Sequence, residues 1–285
     1  MIALAAALVL FQQASTPAEV RTLNVWVTDA RGTAVRGLVP DEAAVLENGV
    51  ARPVTRLEED RRPLNVAVIV DSSAPMGTFY RLNLVDAVVQ LLNQLPAGAR
   101  FAVWTTSDRP QKIADWGDDV GAASRALKRV APLGGNTVLD AIVEASSDLK
   151  RQESERSAVV VVTGVGIGFT NWERRQVVDK ARASGATFMV VQFEETGESA
   201  VAAGEGQVTR LDYDYVFEGV TRATGGIKET TMSAMGVPRA LEKVAQALKA
   251  PYRLSYATVP DLKERKVEVQ VARPGVKVRI GPVRP

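Results

Sequence analysis

The 285-residue chain contains neither cysteine nor histidine. Without cysteine there is no disulfide frame and no thiolate chemistry. Without histidine the commonest general base and metal ligand is missing, and catalytic triads that need it are excluded. Charge of one sign is also scarce: the formal net charge is +2, too small for a general attraction to nucleic acid. Long apolar runs are nearly absent. The exception, Ile2 to Phe11, is too short to span a bilayer and has the length of a signal-peptide core, although no Lys or Arg precedes it. We expect a signal peptide over residues 1–18 and export to the periplasm or the extracellular space; a buried strand or a mis-assigned start is the alternative reading. No later segment is apolar enough to cross a membrane. What is present is ordinary for a globular protein, with 46% apolar and 24% charged residues, and the length suits one sizeable core with a smaller appendage.

The two ends of the chain share one pattern and the middle has another. Leu23, Val25 and Val27 alternate with Thr22, Asn24 and Trp26, the period of a half-buried strand. Asp29-Ala30-Arg31-Gly32 can turn, and Asn48-Gly49 between apolar stretches is a strong hairpin signal because both residues tolerate positive φ. Near the other end, Tyr252, Leu254 and Tyr256 suggest a strand. Val267, Val269 and Val271, then Val276, Val278 and Ile280, suggest a hairpin about Pro274-Gly275. Neither end alone could bury much, so the expectation is one small antiparallel β module from residues 19–62 and 251–285.

Residues 63–250 read as an α/β domain with a doubly wound, mostly parallel sheet and helices on both faces. Continuous apolar runs mark strands at Val66 to Val70, Phe101 to Trp104, Ala158 to Val162 and Thr187 to Phe193. Helices are expected at Leu82 to Leu95, Val120 to Val130, Thr137 to Leu149, Trp172 to Ala183, Tyr213 to Ala223 and Pro238 to Leu248. Glu194 to Gly206 reads as a polar loop. Such sheets bind ligands beyond the carboxyl ends of their strands. Asp71 stands at such an end with Ser73 two residues on, and Gly134-Gly135-Asn136-Thr137 is a glycine-rich turn that delivers a hydroxyl to a helix start. Asp71, Ser73 and Thr137 could therefore supply three oxygens to a hard cation such as Mg²⁺. Each also has a local role available: Asp71 to Ser73 and Thr137 could cap helices.

At these residues the chain resembles a known family. An apolar strand ending in Asp-x-Ser-x-Ser, a distant Gly-Gly-x-Thr and a later Thr-Asp-Gly form the metal-ion-dependent adhesion site of von Willebrand factor type A domains. The matches are DSSAP at 71–75, GGNT at 134–137 and TGVG at 163–166. The wider layout is similar to a bacterial, acidobacterial-type group in which a type A domain follows a short β segment like VWVTDARGTAVRGL. Chains of that group close on segments like YRLSYA and VEVQVARPGVKVRI. The resemblance implies a non-catalytic adhesion or scaffold module whose partner protein completes a metal shell. It also shows two departures: Pro75 stands in place of the second serine and Gly164 in place of the second aspartate. The expectation is a degenerate site at Asp71, Ser73 and Thr137 that binds Mg²⁺ or Mn²⁺ weakly or not at all. Asp108 and Asp140 are possible substitutes; Asp140 also suits the first turn of a helix on dipole grounds. A rival reading, a nucleotide-binding enzyme, rests on Gly164, Gly166 and Gly168 after a strand with Glu194 ending the next one, but the third glycine of the fingerprint falls on Phe169.

Overall fold

The computed structural model describes residues 19–164, 166, 168–194, 207–249, 251–260 and 265–283. The expected signal peptide at 1–18 and all but Glu194 of the expected loop to Gly206 lie outside the described residues.

The chain begins with strands β1 (Glu19–Thr28), β2 (Ala43–Glu47), β3 (Val50–Arg52) and β4 (Val54–Glu59). The turn between β2 and β3 is the expected Asn-Gly one, with φ of 52° at Asn48 and 79° at Gly49. The central part follows: β5 (Asn65–Val70), short helix α1 (Gly77–Phe79), a π-helical turn at Tyr80–Leu84, α2 (Val85–Asn93), β6 (Arg100–Thr105), β7 (Gln111–Gly117), α3 (Val120–Arg129) and α4 (Val138–Arg151). Then come β8 (Ser157–Gly164), β9 (Gly168–Phe169), α5 (Arg174–Ala183), β10 (Thr187–Phe193), β11 (Gln207–Val208), α6 (Arg210–Thr224), β12 (Ile227–Thr231) and α7 (Gly236–Lys249). Strands β13 (Pro251–Thr258), β14 (Val267–Val271) and β15 (Lys277–Ile280) close the chain.

The central sheet has the order β12-β10-β8-β5-β6-β7. All its pairings are parallel except β6 with β7. Its inner strands are apolar throughout because each is covered on both faces; every residue of β5 is buried. One face packs against α2, α3 and α7, through residues such as Val68, Leu91, Leu127 and Val244. The other packs against α4, α5 and α6, through Ile69, Ile142, Val177 and Val220. The edge strands β7 and β12 escape the sequence pattern because they are half-exposed and carry polar residues, as in Ile227-Lys228-Glu229.

The chain ends combine as expected. β1 lies between β13 and β15 in an antiparallel sheet of order β15-β1-β13-β4, and β14-β2-β3 forms a second sheet. Leu23, Val25, Leu57 and Tyr256 from the first sheet and Val45 and Val269 from the second share one core. One expectation is corrected: β14 and β15 are not a hairpin. β14 pairs with β2, and β15 pairs with β1. The Pro274-Gly275 turn carries the chain from one layer to the other, so that each strand finds a partner from the opposite chain end. Trp26 Nε1 donates to the Ala247 carbonyl (3.0 Å), and Arg156 donates to the carbonyls of Asp60 (3.1 Å) and Leu248, tying the β sheets to the central part.

Candidate functional site

The apolar run of β5 places Asp71 just beyond the carboxyl end of a central strand, where β6 lies on one side and β8 on the other. The chain passes from β5 outward to β6 and later returns to β8, so Asp71 stands where the strand order reverses, the usual position for a ligand site in such sheets. The ladder continues past the strand ends: Thr106 N–H donates to Val70 O (3.2 Å) and Asp71 N–H to Val162 O (2.9 Å). Asp71, Thr106 and Thr163 each follow an inward residue by two, namely Ile69, Trp104 and Val161, so all three face the α4–α6 side. A polar row thus crosses the sheet above its apolar core. Gln192, two beyond Val190, extends it; it is fully buried, and neither side-chain atom has a partner among the described residues.

The Asp71 carboxylate is 1% exposed. Its Oδ1 accepts from the Ser73 N–H (2.9 Å) and, at 3.4 Å, from the Thr106 hydroxyl. Its Oδ2 accepts from Asn136 Nδ2 (2.8 Å), the Thr163 hydroxyl (3.0 Å) and the Gly164 N–H (2.9 Å). Ser73, itself buried, also favours the carboxylate through its hydroxyl. Every donor is neutral. Burial raises the Asp71 pKa above its usual value, and the hydrogen bonds only partly oppose that rise.

Two backbone bonds bring the glycine-rich turn to this carboxylate: Leu133 N–H donates to Ser72 O (3.0 Å), and Ala74 N–H to Gly134 O (3.1 Å). Gly134 is required twice over. Its φ is +69°, and a Cβ there would fall 2.1 Å from an Asp108 oxygen. Asn136 is the residue that sequence reasoning passed over. Its Nδ2 bridges Asp71 and the Thr163 hydroxyl (2.9 Å), while its Oδ1 accepts from Val138 N–H (3.0 Å) at the start of α4. The capping role considered for Thr137 therefore belongs to Asn136. Thr137 makes no side-chain cap, and its hydroxyl is buried without a partner among the described residues. Ser73, before the short turn at Ala74–Met76, likewise makes no side-chain cap.

The two departures from the family pattern have different surroundings. Pro75 enters the short 3₁₀ turn that leads to α1. A Cβ on Gly164 would lie 2.6 Å from Met76 Sδ and 3.7 Å from Asp71 Oδ2, so a thioether fills the place of a second acid. Asp108 turns to the Gly135 N–H (3.2 Å), and Asp140 accepts from the backbone (3.2 Å) and side-chain (3.1 Å) nitrogens of Asn171. Among the described residues no three Asp, Glu, His or Cys side chains gather as a metal-holding group. Asp71, Ser73 and Thr137 sit along one rim, but Mg²⁺ asks for near-octahedral oxygen ligation at about 2.0–2.1 Å. One carboxylate already engaged by protein donors and two hydroxyls do not fit that demand.

Among the described residues, Gly164 and Gly168 are engaged within the fold rather than set out around a phosphate-sized space. Gly164 N–H is bonded to Asp71, and Phe169 N–H to Asn136 O (3.0 Å). Gly168 and Phe169 pair with Val208 and Gln207. α5 begins later, at Arg174, so the loop does not open onto a helix N-terminus. Beside Asp71, along Ser72, Ser107, Asp108, Arg109, Arg129 and Leu133, runs an open groove of about 630 Å³.

Residues 66–167 match the family model for the von Willebrand factor type A domain. No curated protein sequence matches the chain. Among solved structures, the von Willebrand factor type A protein from Catenulispora acidiphila is similar over 92% of this chain and 72% of its own, with 11% identity and a TM-score of 0.53. The vWF domain of the type V pili tip protein Mfa5 from Porphyromonas gingivalis covers 66% of this chain and 95% of its own, with 10% identity and a TM-score of 0.53. Proximal thread matrix protein 1 from the mussel byssus covers 76% and 50%, with 16% identity and a TM-score of 0.51. At these identities the likeness is one of fold. Residues 66–167, from β5 to just beyond β8, are thus similar to the von Willebrand factor type A domain, and the central sheet has the fold of these solved structures.

Proposed function

We propose that the chain is a non-catalytic protein-binding module, an adhesion or scaffold component, that meets its partner with the loops around Asp71. Its divalent-cation site is weakened or lost. The observation that carries this reading is the Asp71 carboxylate, engaged by five neutral protein hydrogen bonds. Met76 sulfur standing where a second acid would project from Gly164 supports it. Partner binding then rests on loop shape and on the adjoining groove rather than on a shared metal ion. The layout supports a division into a β module of residues 19–62 with 251–285 and a central domain of 63–250, as in the acidobacterial-type group. The apolar run at Ile2 to Phe11 supports export, which cell fractionation tests. Among the described residues no helix is long and apolar enough to cross a membrane.

Calorimetry with Mg²⁺ and Mn²⁺ on the wild type and on Asp71→Ala tests the metal part of the reading. Little or no heat is expected from either protein; strong binding that disappears in the variant would overturn it. Partner capture should withstand EDTA, and EDTA-sensitive capture would restore a metal-bridged mechanism.

A further inference from the structure

The molecule has a second charged recess, at the seam between the β sheets of the chain ends and the central sheet. It is a cavity of about 290 Å³, and its lining includes Arg31, Lys243, Lys277, Arg279 and Glu229 over an indole floor from Trp26. Four cations face one carboxylate, which already pairs with Lys243 (2.7 Å). Among the described residues Arg31 and Lys277 have no ion-pair or hydrogen-bond partner for their side-chain charges. The Arg31 backbone is nevertheless fixed, because Asp29 Oδ1 accepts from the N–H groups of Arg31 and Thr33 (2.8 Å each). Arg279 lies over the Trp26 ring, 5.4 Å from its centroid, and gives one amino group to the carbonyls of Gly225 (3.0 Å) and Gly226 (2.7 Å). The rest of its guanidinium fork has no acid within ion-pair distance among the described residues. Burial pulls the pKa of this guanidinium down to about 10, the cost of desolvating a cation without a full counter-charge.

We propose that this seam cavity is a binding site for a small phosphate-bearing anion, held by Arg31, Lys277 and Arg279. Guanidinium forks and an ammonium lining one recess suit tetrahedral oxyanions, which accept several charge-assisted hydrogen bonds at once. The size agrees: ligand cavities run from about 300 Å³ upward, so this one takes a small group and not a chain segment. Lys277 and Arg279 lie on β15 and Arg31 in the turn after β1, whereas Glu229 and Lys243 belong to β12 and α7. An anion between them would therefore join the two parts of the molecule. This site lies apart from Asp71, and its fate does not depend on the function proposed there.

The test uses the full chain with inorganic phosphate, pyrophosphate and citrate at matched ionic strength, read by calorimetry and thermal unfolding. Phosphate or pyrophosphate should give saturable heat and a Tm that climbs with concentration. Arg31→Ala/Lys277→Ala, two exposed positions, should weaken binding about tenfold or more. A charge-matched control at two exposed positions on α3, Arg125→Ala/Lys128→Ala, should bind as the wild type does. Protection by inorganic phosphate itself would identify the free ion as sufficient; protection by pyrophosphate alone would point to a phosphorylated small molecule, and both support the site. Saturable heat from citrate only, equal binding in the seam variant, equal loss in the control, or no heat at all would each overturn it.

Discussion

Glu47 and Asp71 are both deeply buried, and their carboxylates meet opposite surroundings. Glu47, fully buried between the two chain-end sheets, meets Arg265 (2.7 Å) and Arg52 (3.0 Å) as well as the hydroxyls of Tyr256 (3.1 Å) and Thr258. Asp71 meets amides and hydroxyls only, and among the described residues no cation stands within ion-pair distance. Burial works to raise the pKa of both. At Glu47 the bonds from Thr258, Arg265 and Tyr256 outweigh burial and the carboxyl is held below its usual range; at Asp71 burial prevails. The difference is one of purpose as well as chemistry. Glu47 binds strands from both chain ends into one unit, and its charge is answered within the fold. Asp71 organises loops at a sheet rim, and the hydrogen-bond donors that meet it there are all neutral.

The sharpest way to break this contrast is Glu47→Ala. It leaves two arginines and two hydroxyls facing a gap, and removing one partner of a buried ion pair costs about 3–5 kcal/mol. Chemical denaturation should show that loss, and a loss under about 1 kcal/mol would mean that the Glu47 cluster is not structural. Gly164→Asp should come next, at about 2–3 kcal/mol, because its side chain must displace Met76. Adding Met76→Ala should return part of the stability and raise Mn²⁺ affinity over wild type in calorimetry. Failure of the double variant to recover would show that the second acid is refused for reasons other than space.

The pH dependence separates the two carboxylates by sign. The depressed pKa of Glu47 contributes stability that is present above its unfolded value of 4.5 and is lost as pH falls through the folded one. The raised pKa of Asp71 works the other way: its contribution is favourable near and below the unfolded value of 3.8 and declines as pH rises to the folded one. Asp71→Asn should remove that decline at a cost of about 1–2 kcal/mol from disturbed donors, while Glu47→Gln should flatten the acid limb. Matching profiles for the two variants would refute the contrast. The smallest effect belongs to Thr137→Val. Its hydroxyl has no partner to lose among the described residues, so stability should change by less than about 1 kcal/mol. A larger loss would assign Thr137 a bound water or ion.

Much of the architecture was legible because it is periodic. Runs such as Val66 to Val70 are continuous only where both faces of a strand are covered, and the alternation at Leu23, Val25 and Val27 marks a half-buried one. The edge strands β7 and β12 were illegible for the same reason, since half-exposed strands accept Lys and Glu. At the site, Asp71 and the Gly-Gly-Asn-Thr turn were visible as motifs. The residues that complete the network were not. Thr106 and Thr163 could have been found by counting two beyond Trp104 and Val161. Nothing near Asn136 in sequence announces that its amide would reach Asp71, and nothing near Gly164 announces Met76.

Local chemistry alone was enough to specify the alternation of strands and helices, the turns at Asn48-Gly49 and Gly134, and the placing of Asp71 at a strand end, because each follows from nearest neighbours and repeat period. Folding in three dimensions decided which strands pair across the two chain ends, which side chain caps α4, and how the charge of Asp71 is met. Those outcomes depend on groups far apart along the chain, 65 residues in the case of Asn136 and Asp71, and only packing brings such groups within hydrogen-bonding distance.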